Sequence, residues 1–372
     1  MKVLLTGGGT GGHVYPAIAL AQALHATNDT VLFVGLRSGM EERIVPQAAI
    51  PLAVINAAPL RRSWSWATLI TLRDNFRGIV QACRIIARFQ PDAVIATGGY
   101  VTFPVVIAAR IISRLRRWPI FIGLLEPNAV PGLTNRCLAP LVDALWAGVA
   151  QRSPRFRARA ILTGTPVRAS LREHVDRNTA AHSLGLDPNR TIILVIGGSQ
   201  GARSINTAVA QLLAEPLEQP WQILHLCGRS EEAAVQEQQA AAIARGEVCV
   251  RGYLDDPTLA YAAADLVVAR SGASTLAELA ATGKPALLVP YPYATADHQR
   301  LNAEAFIQTG AARLVLDADL DGPRLCQELT TMLEPTAYTT LKSAAQHAAH
   351  NDATATILAH VRQGHASKGA SR

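Results

Sequence analysis

Short apolar runs alternate with stretches of helical periodicity along the whole chain. In the first half the runs fall at residues 2–6, 31–35, 52–55, 93–97, 120–124 and 144–147. In the second half they fall at 191–196, 222–226, 248–251, 266–269, 286–290 and 312–315. They are rich in Val, Ile, Leu and Ala with little polar alternation, the pattern of strands buried on both faces. Between them, segments such as 16–25, 39–47, 102–115, 202–213, 230–242, 257–263, 274–282 and 298–309 read as helices. This alternation predicts an α/β fold of two Rossmann-like, doubly wound parallel-sheet domains facing a cleft. The polar segment 151–159 leads into Thr163-Gly164-Thr165-Pro166, which places the junction near 163, with domains at 1–163 and 164–339. Residues 364–372 are small and polar and read as a disordered tail.

Composition changes this picture little. The 372 residues suit about two domains. No run reaches the ~18 apolar residues of a membrane span, and 101–125 is cut by four arginines. The N-terminal apolar run is too short for a signal peptide, so a cytoplasmic protein is expected. Five scattered cysteines with no C-x-x-C read as reduced thiols, neither metal ligands nor disulfides. No cofactor is implied.

Charge changes it more. Residues 60–118 hold ten arginines against Asp74 and Asp92, a surplus of eight in a chain whose formal charge is +7. One basic face sits on a near-neutral body. On a helix Arg73, Arg77, Arg84 and Arg88 fall within about 60° of arc, with Trp66 and Ile70 among them. Leu72, Phe76, Ile79, Cys83 and Ile86 form a separate apolar arc. Arginine interleaved with tryptophan and isoleucine predicts an anionic membrane surface as partner. No nucleic-acid motif accompanies it, so nucleic acid is not expected.

The candidate chemistry lies at two glycine turns, each following a predicted strand. Thr6-Gly7-Gly8-Gly9-Thr10-Gly11-Gly12-His13 follows the first, and Gly197-Gly198-Ser199-Gln200-Gly201-Ala202 follows 192–196. Strand, glycine turn and helix point backbone N–H groups at an anion. In the first turn the glycines admit a bulky polar ligand and His13 stands at its edge. G-x-G-x-x-G alone also suits a dinucleotide, and Arg37 could meet an NADP phosphate. In the second turn Ser199 adds a hydroxyl to a phosphate cradle. Arg168 could grip a diphosphate bidentately. Glu278 lies one helical turn after Ser274, where a carboxylate suits a ribose diol. Gln299 suits sugar hydroxyls, and Glu126 and Asn128 lie where an acceptor or sugar could be touched. Asp317-Ala318-Asp319 resembles a metal-binding D-x-D but reads as a turn capping the next helix, so no metal site is expected.

Together these strings resemble the MurG family of lipid-linked N-acetylglucosaminyltransferases of bacterial peptidoglycan synthesis. The resemblance spans residues 1 to about 360. It rests on Gly8–His13, Thr97-Gly98-Gly99-Tyr100-Val101, residues 126–135, Gly164-Thr165-Pro166-Val167-Arg168, residues 197–202, residues 270–278 and residues 298–302. It implies a two-domain GT-B glycosyltransferase that takes UDP-N-acetylglucosamine and an undecaprenyl-linked acceptor. The family inverts at the anomeric carbon, working peripherally at the cytoplasmic face of the plasma membrane beside other cell-wall synthesis proteins. It implies that Ser199 and Arg168 meet the diphosphate, with Gln200 beside them in the substrate site, the Leu254 backbone meets uracil, and Glu278 meets the ribose. Ala273, Ser274, Thr275 and Gln299 would meet phosphate and sugar, with Leu276 and Ala277 also in the substrate site. Thr10, Gly11, Gly12 and Asn128 would complete the sugar site. His13 would be the base, with Glu126 a lesser catalytic candidate. The last apolar helix, about 353–362 within 340–362, would pack back on the first domain. Two departures stand out: Leu125-Glu126-Pro127-Asn128 replaces the family's His-Glu-Gln-Asn, and Gly-Thr-Pro-Val-Arg replaces Gly-Asn-Pro-Val-Arg. A diacylglycerol glycolipid synthase, a UDP-sugar epimerase, an NADP oxidoreductase and a non-catalytic membrane-recruitment module are the rival readings.

Overall fold

The structure is a computed structural model that describes residues 1–59, 66–198, 200–348 and 352–370, and the side chains of all but 66–70 and 369–370. It contains two parallel sheets. The first takes β1 (Lys2–Thr6), β2 (Thr30–Leu36), β3 (Leu52–Ile55), β4 (Ala93–Ala96), β5 (Phe121–Glu126), β6 (Ala144–Ala147) and β7 (Ile161–Leu162) in the order β3-β2-β1-β4-β5-β6-β7. The second takes β8 (Thr191–Ile196), β9 (Trp221–Leu226), β10 (Val248–Arg251), β11 (Leu266–Ala269), β12 (Ala286–Leu288) and β13 (Ala312–Leu314) in the order β10-β9-β8-β11-β12-β13. Both sheets are wound outward from their first strand. The order reverses at β1/β4 and at β8/β11, and helices starting there diverge to open a crevice at the strands' C-terminal ends. The two glycine turns follow β1 and β8, so each stands at its sheet's switch point.

Each sheet is covered on both faces. Leu4, Val94 and Ile122 pack on the 66–89 and 102–115 helices, and Val3, Leu5 and Ile95 pack on the Gly11–Ala26 helix. In the second unit Asn206 bonds the carbonyl of Cys227 at 3.0 Å and the ring of His225 at 3.1 Å, tying the helix after the glycine turn to the end of β9. Burial pushes the His225 pKa down to about 4, so this link is a neutral one.

The chain divides into one unit of Met1–Ala169 with Asp352–Arg372, and another of Ser170–Asn351. Two expectations differ from this, the junction and the tail. The division falls after Ala169 rather than at 163, because β7 pairs with β6 and the N–H groups of Thr163 and Gly164 bond the Ala147 carbonyl. The Pro335–Ala348 helix stays with the second unit, and the returning segment begins at Asp352, just before the expected helix at about 353. Residues 364–370 are no tail; they continue the Ala353–Ala370 helix. Ile357 and Val361 enter the first core. Trp146 Nε1 donates to His360 at 3.1 Å, Arg362 reaches Asp29, and Lys368 bonds the Ile120 carbonyl and Asp143 at 2.8 and 2.6 Å. A Cβ at Gly364 would stand 2.1 Å from the Phe121 ring, so only glycine allows that approach. The polar composition that reads as disorder is that of a helix bonded along a protein surface.

Candidate active site

In the first unit the glycine turn after β1 interlocks with a second one after β4. The Gly8 N–H donates to the Gly98 carbonyl at 3.2 Å. A Cβ at Gly99 would stand 2.1 Å from the Gly8 carbonyl oxygen, and Gly99 has a φ of +86°. His13 lies in the first turn of the Gly11–Ala26 helix, half-buried. Its Nδ1 is 2.8 Å from the Thr97 carbonyl oxygen. A carbonyl only accepts, so Nδ1 carries the proton and Nε2 carries the lone pair of the neutral ring. The Thr97 hydroxyl donates to the His13 carbonyl at 2.6 Å, closing a two-way link. Gly98, at φ +106°, makes room for the imidazole: a Cβ there would lie 2.5 Å from Nδ1. Beneath the turn is Glu41, fully buried, with Oε1 accepting from the Leu36 N–H at 3.2 Å and packed where a Gly8 Cβ would be. Thr10, Gly11 and Gly12 begin the helix, with its forward-pointing N–H groups at the switch point.

In the second unit the turn after β8 is packed as tightly. A Cβ at Gly201 would lie 2.2 Å from the Cys227 carbonyl oxygen. Gln200 is exposed, and Ser199 lies outside the described residues. Along the same sheet edge the Ala273–Thr282 helix starts after β11, capped by the extended Gly272. Ser274 Oγ is buried and makes no hydrogen bond among the described residues. Glu278, half-buried, accepts from the hydroxyl of the buried Tyr261 at 2.9 Å. Gln299 begins the next helix; its Oε1 accepts from the Tyr291 N–H at 3.0 Å and its carbonyl accepts from Ser271 at 2.8 Å. Ala296 and Asp297 just before it hold φ of +53° and +55°. Two consecutive left-handed non-glycine residues are strained backbone, of the kind that clusters at ligand clamps. Leu254 lies in the loop between β10 and the Thr258–Ala263 helix. Arg168 belongs to the first unit, its guanidinium 5.6 Å from the centroid of the Tyr15 ring.

The chain matches the glycosyltransferase family 28 N-terminal domain over residues 3–146 and the C-terminal domain over 192–357. A relative from Moorella thermoacetica, named UDP-N-acetylglucosamine–N-acetylmuramyl-(pentapeptide) pyrophosphoryl-undecaprenol N-acetylglucosamine transferase, is 41% identical over 342 residues, 90% of each chain. A Chromohalobacter salexigens protein of the same name is 38% identical over 96% of this chain and 95% of its own. The chain belongs to the MurG family. The crystal structure of Acinetobacter baumannii MurG is similar at a TM-score of 0.76 and 28% identity, covering 97% of this chain and 99% of that one. This is a GT-B glycosyltransferase, as its two doubly wound sheets and both family 28 domains require.

Within this MurG family member several expected roles change. Glu126 is 1% exposed and its carboxylate is fully engaged. Oε1 accepts from the Asn128 N–H at 2.9 Å and its amide at 3.1 Å, and Oε2 from Gly132 N–H at 3.0 Å and Asn135 at 2.9 Å. Burial raises its pKa against the pull of those donors. It shapes the 126–135 loop and positions Asn128, and both its oxygens are spent on that loop rather than open to a substrate. Leu276 is 1% exposed and its N–H is spent on the Gly272 carbonyl, so it offers nothing to a ligand. Ala273, Thr275 and Ala277 remain on the helix's first two turns. Asp317 pairs with Arg270, and Asp321 rather than the D-x-D caps the next helix, accepting from Arg324 N–H at 2.7 Å.

The basic helix, Trp66–Phe89, is rotated from the expected arrangement. Its buried face carries Thr71, Asn75, Gly78, Ala82 and Ile86. Gly78 packs where a Cβ would stand 2.0 Å from the Asn56 carbonyl oxygen, and Asn75 bonds both peptide groups of Ala58. Leu72 and Phe76 are therefore 52% and 67% exposed, beside Arg73, Arg77, Arg84 and Arg88. Arg73 pairs with Asp74; the other three make no ion pair among the described residues. Trp66 and Ile70 have side chains outside the described residues. On the neighbouring Thr102–Leu115 helix, Ile111 and Leu115 are also exposed. Among the described residues no helix is long and apolar enough to cross a membrane.

Proposed function

We infer that the protein is a hexosyltransferase moving N-acetylglucosamine from UDP-N-acetylglucosamine to the muramyl C4 hydroxyl of undecaprenyl-pyrophosphoryl-N-acetylmuramoyl-pentapeptide, lipid I to lipid II, in peptidoglycan synthesis. The observation that carries the residue assignment is the pair of switch-point turns, one with an oriented histidine and one with an anion-binding helix start. His13 Nε2 takes the proton of the attacking hydroxyl as its oxygen displaces UDP at the anomeric carbon with inversion. Negative charge then grows on the departing diphosphate. The N-terminus of the Ala273–Thr282 helix, Ser274, Thr275, the 197–201 turn and Arg168 stabilise it. Glu278, oriented by Tyr261, accepts from the ribose diol. Gln299 and Thr10–Gly12 hold the sugar, with Asn128 completing the site. The Leu254 peptide group meets uracil.

Transfer of labelled N-acetylglucosamine from its UDP donor to extracted lipid acceptor tests the reaction. It proceeds in excess chelator, because these dipoles and Arg168 replace a cation. Loss with chelator and recovery with magnesium would make the charge stabilisation metallic. Glu278→Ala weakens UDP and UDP-N-acetylglucosamine alike, roughly 10-fold for one lost charged hydrogen bond pair. Calorimetry showing unchanged UDP affinity removes Glu278 from the ribose.

The exposed Leu72 and Phe76, beside Arg77, Arg84 and Arg88 that make no ion pair among the described residues, support docking at the cytoplasmic face of the plasma membrane. The acceptor's lipid chain stays in the bilayer there, and the enzyme must come to it.

A further inference from the structure

The first unit holds a second concave site that none of these roles uses. An open pocket of about 240 Å³ lies where β2 and β3 end, at the same sheet edge as the β1 glycine turn. Its floor is apolar, with Leu36 and Ile55 buried. Its rim is polar and of both signs. On one side stand Arg37, Ser38 and Asn56; Asp74 also lines it. Arg37 is exposed and makes no ion pair among the described residues. Ser38 holds a left-handed φ of +63°, fixed by its N–H donating to Glu42 Oε2 at 2.7 Å. That strained turn presents Arg37 and the Ser38 hydroxyl together. Asn56 is held from the other side: its N–H donates to Gln81 Oε1 at 2.7 Å, and its Oδ1 accepts from Gln81 Nε2 at 3.2 Å. The Asn56 amide nitrogen is thus turned away from Gln81, as a donor. Asp74 binds Arg73 through Oδ1.

Donors with a guanidinium, a carboxylate and an apolar floor fit a peptide. A backbone supplies amides, and a peptide joined through its N-terminus to a sugar acid keeps a free carboxylate at its other end. Distance fits as well. β2 neighbours β1, and strands lie about 4.8 Å apart, so the pocket is roughly 5–10 Å across the edge from the glycine turn. An extended pentapeptide spans about 17 Å.

We propose that this pocket binds the peptide stem of the acceptor, Arg37 taking a stem carboxylate and Asp74 accepting an ammonium or amide N–H. The proposal rests on the reading that the first unit takes the lipid-linked muramyl-pentapeptide. A phosphate would satisfy Arg37 equally, and the acceptor's diphosphate is the rival source of negative charge. The test therefore compares two short-chain acceptors with the same diphosphate. One carries the full pentapeptide, and the other a single residue capped as an amide. The wild-type protein prefers the first. In Arg37→Ala that preference, the ratio of the two kcat/KM values, falls about 10- to 100-fold through the KM of the pentapeptide acceptor. Arg37→Lys restores part of it, and Asp74→Asn lowers it too. The KM for UDP-N-acetylglucosamine does not move. Equal losses on both acceptors assign Arg37 to the diphosphate and overturn the proposal. So does an unchanged ratio in both variants. A wild-type protein that transfers to neither acceptor defeats the acceptor reading itself, before any variant is made, and the peptide assignment with it.

Discussion

His13→Ala lowers turnover about 10²- to 10⁴-fold, the range of a positioned general base, while UDP affinity is kept. The expectation follows from one hydrogen bond. The Thr97 carbonyl fixes the proton on Nδ1, so the opposite nitrogen is basic whenever the ring is neutral. The ring fits against that carbonyl because Gly98 has no side chain: a Cβ there would lie 2.5 Å from Nδ1. Gly98→Ala keeps the imidazole but pushes it from that seat, and adds strain at φ +106°. It therefore loses turnover as well, with UDP binding intact because the 197–201 turn, Glu278 and Gln299, proposed to hold the nucleotide, lie in the second unit. Steady-state transfer assays paired with UDP calorimetry check both variants. Near-normal turnover in His13→Ala reduces the histidine to a helix-start residue that links two turns.

Reversing Arg77 and Arg84 to glutamate releases the protein from anionic vesicles. The exchange alters the face by four charges. At about 1 kcal/mol per charge near such a surface, binding falls on the order of 10²- to 10³-fold. Raised salt weakens the wild type in the same direction, since screening acts on this attraction. Apolar insertion contributes beside it. Phe76 is 67% exposed and Leu72 52%, far more than an ordinary solvated helix needs to show. Phe76→Ser therefore weakens vesicle binding without changing the salt slope. Transfer to a short-chain soluble acceptor is spared in all these variants. Vesicle sedimentation that ignores both charge reversal and salt would falsify the docking assignment.

Most of the architecture was legible because parallel strands must be apolar on both faces. The predicted runs at 2–6, 191–196 and 266–269 match β1, β8 and β11 closely. The two-residue β7 carried no such signal: Ile161 and Leu162 are both exposed at a sheet edge. The start of the Ala273–Thr282 helix was legible from Gly272 and the small residues after it, but Tyr261 and Ser271 were not. They act from other elements, 17 residues before Glu278 and 28 before Gln299. Glu41 was not legible at all, since nothing in its neighbourhood announces burial beneath a distant glycine turn.

The sequence by itself determined two doubly wound sheets, glycine turns after their first strands, a histidine at one of them and a strongly basic helix. These are local properties: strand burial, turn chemistry and charge are written in adjacent residues. The tertiary structure alone decided which nitrogen of His13 is basic, because Thr97 lies 84 residues away. It alone made Glu126 a loop brace, through donors at 128, 132 and 135 that converge only when that loop folds back. It turned the basic helix so that Leu72 and Phe76 face outward, since Gly78 and Asn75 were needed against residues 56 and 58. A helical wheel measures which side chains share a face, but not which face its neighbours will bury. The same holds for residues 364–370, whose polarity signals disorder until the surface they bond to is in place.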